Sequence, residues 1–187
     1  MPSAKSVLPE CYIDSNLFDV LLNFEKESVN HTKGNGTVVT KMENKFADLF
    51  CVGIIDKDKR DLPQILVNYD RIEVGETEEY FKLYKRKEKH HYLIQMVPVI
   101  EVWICNVAEK LEIKITDFDI KAFTPKELMV ITKKIDKKTD PKFKALFKEI
   151  IRKSSEKDFL PVLKLKKIVE LILEKNYKVD INELING

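Results

Sequence analysis

From Phe50 through Ile55 the chain is apolar without alternation, then turns abruptly polar at Asp56-Lys57-Asp58-Lys59-Arg60. Such a run predicts a strand covered on both faces, as in a parallel sheet flanked by helices. Upstream, residues 1–9 read as a loose tail, and 10–14 as a short strand ending in an acid, Asp14. Ser15-Asn16 can cap a helix over 17–26, with Leu17, Val20, Leu21 and Phe24 on one face. A polar, glycine-bearing loop at 31–36 leads to a second helix over 37–49, with Val38, Val39, Met42, Phe46 and Leu49 inward. With a short strand around 28–30, the first third reads as the alternation expected of a parallel α/β sheet.

After Arg60 the pattern weakens. Residues 62–67 suit a short helix begun by Pro63, and 73–79 an acidic turn. Residues 81–86 alternate as a half-exposed strand, and 91–97 form a buried one closed by Pro98, with the charged interval 85–89 as a hairpin turn between them. A helix over 99–111 follows, with Ile100, Trp103, Ile104, Val107 and Leu111 on its apolar side. Thr124-Pro125-Lys126-Glu127 is a helix start with a capping-box pattern and proline just inside it. Three amphipathic helices are predicted at 125–135, 141–153 and 159–175. The division expected is an α/β domain over 1–117 and a helical C-terminal segment over 118–187 packed on it.

Composition narrows the picture little. Hydrophobic residues make up 44% of the 187 positions, enough for a core, and the formal net charge is only +2. Total charge therefore announces no polyanionic partner, and any such contact must come from local clustering. Lysines are dense between Lys133 and Lys167, but interspersed acids also fit a plain solvated surface. The three cysteines, Cys11, Cys51 and Cys105, lie in apolar runs without CxxC spacing, as small hydrophobes of a reducing compartment do. No stretch approaches the ~18 apolar residues of a membrane span, so a cytoplasmic location with no membrane partner is expected. Oligomeric state is not legible.

The acids carry the candidate chemistry. Asp14 is expected to end the first strand, Asp56 and Asp58 to end the second, and Asp19 to lie about one helical turn beyond Asp14. Ends of neighbouring parallel strands converge, and convergent carboxylates repel unless a cation such as Mg²⁺ or Mn²⁺ joins them. The competing reading is a solvated acidic turn in which Asp56 caps the next element. Glu101, after Pro98, is a further candidate, or simply an acid favourable at a helix N-terminus. Lys57, Lys59 and Arg60 beside the acids are candidate phosphate contacts, although lysine-rich turns are common on surfaces. His90 and His91 would point to opposite faces of a strand and cannot serve one site together. Phosphate-loop, Ser/His/Asp and HExxH signatures are absent.

The stretches Tyr12-Ile13-Asp14-Ser15-Asn16-Leu17, Val52 to Arg60, and His90 to Ile94 through Pro98 to Ile104 together resemble the Toprim domain of topoisomerases, primases and OLD-family nucleases. The likeness is strongest to small Toprim-like proteins of bacteria, particularly of the Bacteroides group, and covers roughly the first hundred residues. It implies a mostly parallel sheet with an acid ending the first strand and a D-x-D ending a later one. It further implies Mg²⁺ or Mn²⁺ held by Asp14, Asp19, Asp56, Asp58 and Glu101, with Asp14, Asp56 and Asp58 catalytic. The implied function is a nuclease or related phosphodiester-processing protein, of phage-defence or mobile-element type, acting on nucleic acid. The alternative is a non-catalytic module that binds a metal or a partner protein through the same fold. Where the family usually has Glu-Gly at the end of its first strand, this chain has Asp14-Ser15.

Overall fold

The computed structural model describes residues 4–24, 29–57, 64 and 66–186. Its centre is a five-stranded mixed sheet in the order β1 (Val7–Pro9), β2 (Cys51–Asp56), β5 (His91–Met96), β4 (Phe81–Arg86), β3 (Tyr69–Ile72). β1 and β5 flank β2 in parallel, with Pro9 opposite Ile54 and Asp56 opposite Met96. β4 and β3 extend the sheet antiparallel. The expected mostly parallel sheet is thus parallel on one side only. The hairpin from Phe81 to Met96 accounts for the difference, because a short turn can join strands only antiparallel.

β2 is apolar throughout because both its faces are covered. Cys51 and Ile55 join Leu8, Leu93, Val38 and Met42 on one face, where helix α2 (Asn35–Lys45) packs. Val52 and Ile54 face the larger core, with Val7, Tyr92, Ile94 and Met96. Gly53 is required between them: a Cβ there would meet Met42 Sδ at 2.6 Å, Leu93 Cδ1 at 2.8 Å and Val38 Cγ1 at 3.0 Å. The larger core continues into helices α1 (Tyr12–Leu21), α3 (Ile100–Lys110), α4 (Pro125–Thr132), α5 (Pro141–Glu156) and α6 (Leu160–Lys175). A short α7 (Ile181–Asn186) closes the described chain. Trp103, Phe143, Phe147 and Leu165 are fully buried in this layer, so sheet and C-terminal helices share one core.

The first strand and helix depart from the expected boundaries. Residues 12–14 are helical: Cys11 is the N-cap of α1, its Sγ accepting the Asp14 N–H at 3.3 Å while Asp14 Oδ2 accepts the Cys11 N–H at 3.3 Å. This reciprocal cap outweighs the strand preference of Tyr12 and Ile13. The strand lies earlier, in the stretch expected to be a loose tail, and the acid that follows it is Glu10. The main-chain N–H of Glu10 still bonds Ile54 O at 2.9 Å, continuing the ladder. α1 is buried almost all round, including Asp14, Ser15 and Asn16, because the C-terminal helices cover the side that the sheet leaves. Val29 and Asn30 form no strand, and half of the helix expected over 62–67 lies outside the described residues, with Gln64 and Leu66 helical among the rest. Among the described residues no helix is long and apolar enough to cross a membrane.

Candidate functional site

Three parallel strands end on the same side of the sheet, and each delivers an acid there. Glu10 follows β1, Asp56 closes β2, and Glu101 sits in the first turn of α3, directly after β5. Asp14 joins them from the first turn of α1. Backbone links lock the group: the Asp56 N–H donates to Glu10 Oε2 at 3.0 Å, and Asp56 Oδ1 accepts the Ile100 N–H at 3.0 Å. Asp56 therefore caps α3 while standing beside Glu10. Thr132, at the end of α4, donates its hydroxyl to Glu101 Oε1, which ties the helical half of the chain to the acids.

The group is electrostatically unfavourable as it stands. Burial pushes the Asp14 carboxyl up to about 7, with further upward pressure from the charges of Glu10 and Glu101. Burial raises Asp56 to about 9, and the charges of Asp14, Glu10 and Glu101 add to it. Asp14 is fully buried, and its Oδ1 has no hydrogen-bond partner. A buried oxygen without a partner, on a carboxyl that burial and neighbouring acids push upward, calls for a proton or a cation. An all-oxygen carboxylate donor set has the chemistry of a hard ion such as Mg²⁺ or Mn²⁺. Among the described residues, no group of three or more His, Cys, Asp or Glu side chains is arranged to hold an ion. Asp58 lies outside the described residues and so outside that statement.

Of the residues singled out from sequence, Asp14, Asp56 and Glu101 come together, though Asp14 arrives from a helix rather than a strand end. Asp19 does not join them. Five positions further along α1, its Oδ1 accepts the Val29 N–H at 2.9 Å, beside a separate cavity lined by Lys144 and Lys148. Lys57 is exposed just past β2, while Lys59 and Arg60, like Asp58, lie outside the described residues. His91 is buried at the opposite end of β5, its Nε2 2.9 Å from Phe46 O, and His90 packs edge-on against Tyr177. Neither approaches the acids.

Sequence reasoning missed Glu10. Its signal was present, since a short apolar pair, Val7-Leu8, runs through Pro9 into an acid. It also missed a cavity of about 390 Å³ beside the acids, lined in part by Glu10, Tyr12, His31, Lys33, Glu101 and Lys133. The His31 ring stacks on Tyr12 with centroids 4.1 Å apart and planes 26° apart, and its Nδ1 lies 3.4 Å from Ser15 Oγ. Burial keeps this imidazole below its ordinary range, helped by the charges of Lys138, Lys41 and Lys33. No local pattern in the loop at 31–36 marks these residues. Only the folding of that loop over α1 makes them neighbours.

Comparison with protein-family models, with curated proteins and with solved structures returns no match.

Proposed function

We propose that the strand-end acids form a divalent-cation site of a phosphodiester-processing protein, with Mg²⁺ or Mn²⁺ as the ion. The observation that carries the reading is the convergence of Glu10, Asp14, Asp56 and Glu101 where β1, β2 and β5 end. That edge is where open α/β sheets place ligands. The resemblance to Toprim proteins supports the same reading: an acid is expected to end the first strand, and Glu10 occupies that position. On this reading Asp14 is a second acid four residues on, and the first-strand pair is Glu10-Cys11, which keeps the usual glutamate but not the glycine.

As they stand no three described acids are arranged around an ion, so Glu10, Asp14 and Asp56 would hold one only by drawing closer together, with Asp58 two residues beyond Asp56 and Glu101 as further candidates. A bound ion would supply Lewis-acid stabilisation of charge on a phosphoryl oxygen. The protein's own residues fix the carboxylates: the Ile100 N–H orients Asp56, the Cys11 N–H orients Asp14, and Thr132 orients Glu101. The non-catalytic alternative has its own supporting observation, because Asp14 and Asp56 each already cap a helix and so have structural work without any ion.

Two measurements separate these readings. Mn²⁺ is expected to raise the melting temperature of the full chain, and Asp56→Asn to abolish that rise. Single- and double-stranded DNA and RNA are expected to be cleaved with Mg²⁺ or Mn²⁺ and not with EDTA. Stabilisation without cleavage selects the binding module. No Mn²⁺ effect on either measurement overturns the cation site altogether.

A further inference from the structure

We propose that the cavity beside the acids is a nucleotide pocket. It takes one nucleotide unit, free or at the end of a single strand, with its phosphate on Lys33 and Lys133 and its base against the Tyr12–His31 pair. The inference deepens the reading above by naming what the site admits, but binding in this pocket does not itself require the ion.

Size comes first. At about 390 Å³ the cavity lies in the range of small-ligand sites and holds one nucleotide, not a stretch of double helix. Its two lysines reach it from distant parts of the chain: Lys33 from the loop before α2, and Lys133 from the residue after α4. Among the described residues neither has an ion-pair partner, although carboxylates line the same cavity. Many other lysines of the protein are likewise outside ion pairs, so what sets these two apart is that they line one cavity together. Two cations lining one cavity are suited to an anion entering it.

The surroundings reinforce this. Lys41 is held by Asn30 Oδ1 at 2.8 Å and Thr32 Oγ1 at 2.9 Å, and Lys138 by Val29 O at 3.2 Å. Both stand close enough to His31 to act on it electrostatically, so this wall carries a fixed positive field. Glu10 and Glu101 line the same cavity, and their charge would turn a phosphate away from them and toward the lysines. The aromatic wall supplies the second half of the ligand. Tyr12 and His31 are each half-buried and parallel-stacked, and a base can lie on such a plate whatever its sequence identity.

The test uses the full chain in EDTA and again with Mn²⁺. The probes are a 5′-phosphorylated single-stranded oligonucleotide, a mononucleotide, inorganic phosphate and a blunt duplex. Lys33→Gln with Lys133→Gln is expected to weaken the oligonucleotide at least tenfold and to flatten the salt dependence of its affinity. Each lysine removed should lower the slope of log K against log salt by roughly 0.7. A charge-matched control, Lys167→Gln with Lys178→Gln, should change neither by more than twofold. Tyr12→Leu should weaken the oligonucleotide and mononucleotide while leaving inorganic phosphate unaffected. Equal binding of duplex and single strand overturns the pocket, as does equal loss in the control. Stabilisation by Mn²⁺ without binding of any probe overturns this inference and leaves the cation site standing. Nucleotide binding in EDTA with no Mn²⁺ effect does the reverse.

Discussion

Asp56 serves two demands that pull against each other. Its carboxylate caps α3 at the Ile100 N–H, yet it lies buried among three other acids that disfavour its charge. In the native state it keeps its proton up to about 9, whereas an ordinary carboxyl gives it up near 3.8. Between those values the native state binds more protons than the unfolded chain, so folding stability falls as pH rises. Asp14 contributes the same sign between 3.8 and about 7. Asp56→Asn keeps an oxygen for the Ile100 N–H and removes the titration. The variant is expected to match the parent near pH 4 and to melt roughly 4–8 °C higher at pH 8, for about 2 kcal/mol relieved. Melting curves from pH 4 to 9 in EDTA check this, and a constant offset across that range contradicts it. Much of this residue's setting was legible in the sequence. An acid after an unbroken apolar run had to stand at a strand end, and Asp56 does. Glu10 was easy to pass over because its strand is only Val7–Pro9: the apolar pair before the acid can be read, but it is too short to show a period. Asp14 was misplaced by four positions of chain whose side chains suit a strand but whose cap makes a helix.

β2 shows how closely an element's sequence is tied to its layers. Gly53 faces α2, where Met42, Val38 and Leu93 occupy the space a side chain would need. Gly53→Ala is expected to force these side chains apart and cost about 1–3 kcal/mol, or roughly 2–12 °C in melting temperature. An unchanged melting temperature would mean that α2 yields freely and is only loosely packed on the sheet. The apolar periods of α3, α5 and α6 were readable, and their observed spans differ from the expected ones by a few residues at most. β3 was not readable, because Tyr69–Ile72 is exposed in its middle, at Asp70 and Arg71, and buried only at its ends. The parallel or antiparallel sense of the later strands depends on pairing, which no local period contains.

At the scale of the whole molecule, the helical half is built into the site rather than attached behind it. Asn16, buried on α1, donates to Lys137 O at 2.8 Å and to Asp140 O at 3.1 Å. Those carbonyls belong to the turn that follows Thr132 and Lys133, so a single side chain joins the acid-bearing helix to the far wall of the cavity. Asn16→Leu leaves the two carbonyls without that donor and is expected to cost about 1–3 kcal/mol. It should also weaken the hold on residues 132–140, seen as faster amide exchange there than in β2 or β5. Exchange that quickens uniformly would show that Asn16 stabilises the fold without tethering this segment.

The sheet's two margins have a consequence for how copies of the chain meet one another. A strand at the border of a sheet offers unpaired amides to any passing chain and can seed fibrous assembly. Along β1 the carbonyls of Val7 and Pro9 already accept the Asn30 N–H at 2.9 Å and the Thr32 N–H at 2.8 Å, and Pro9 has no N–H to offer a further strand. At the opposite border β3 presents the exposed charges of Asp70 and Arg71. A core of long-range parallel pairings assembles slowly, with hydrophobic strands waiting for distant partners. In this chain one margin is already hydrogen-bonded and proline-ended and the other is short and charged, so finished molecules are poor templates for fibre growth.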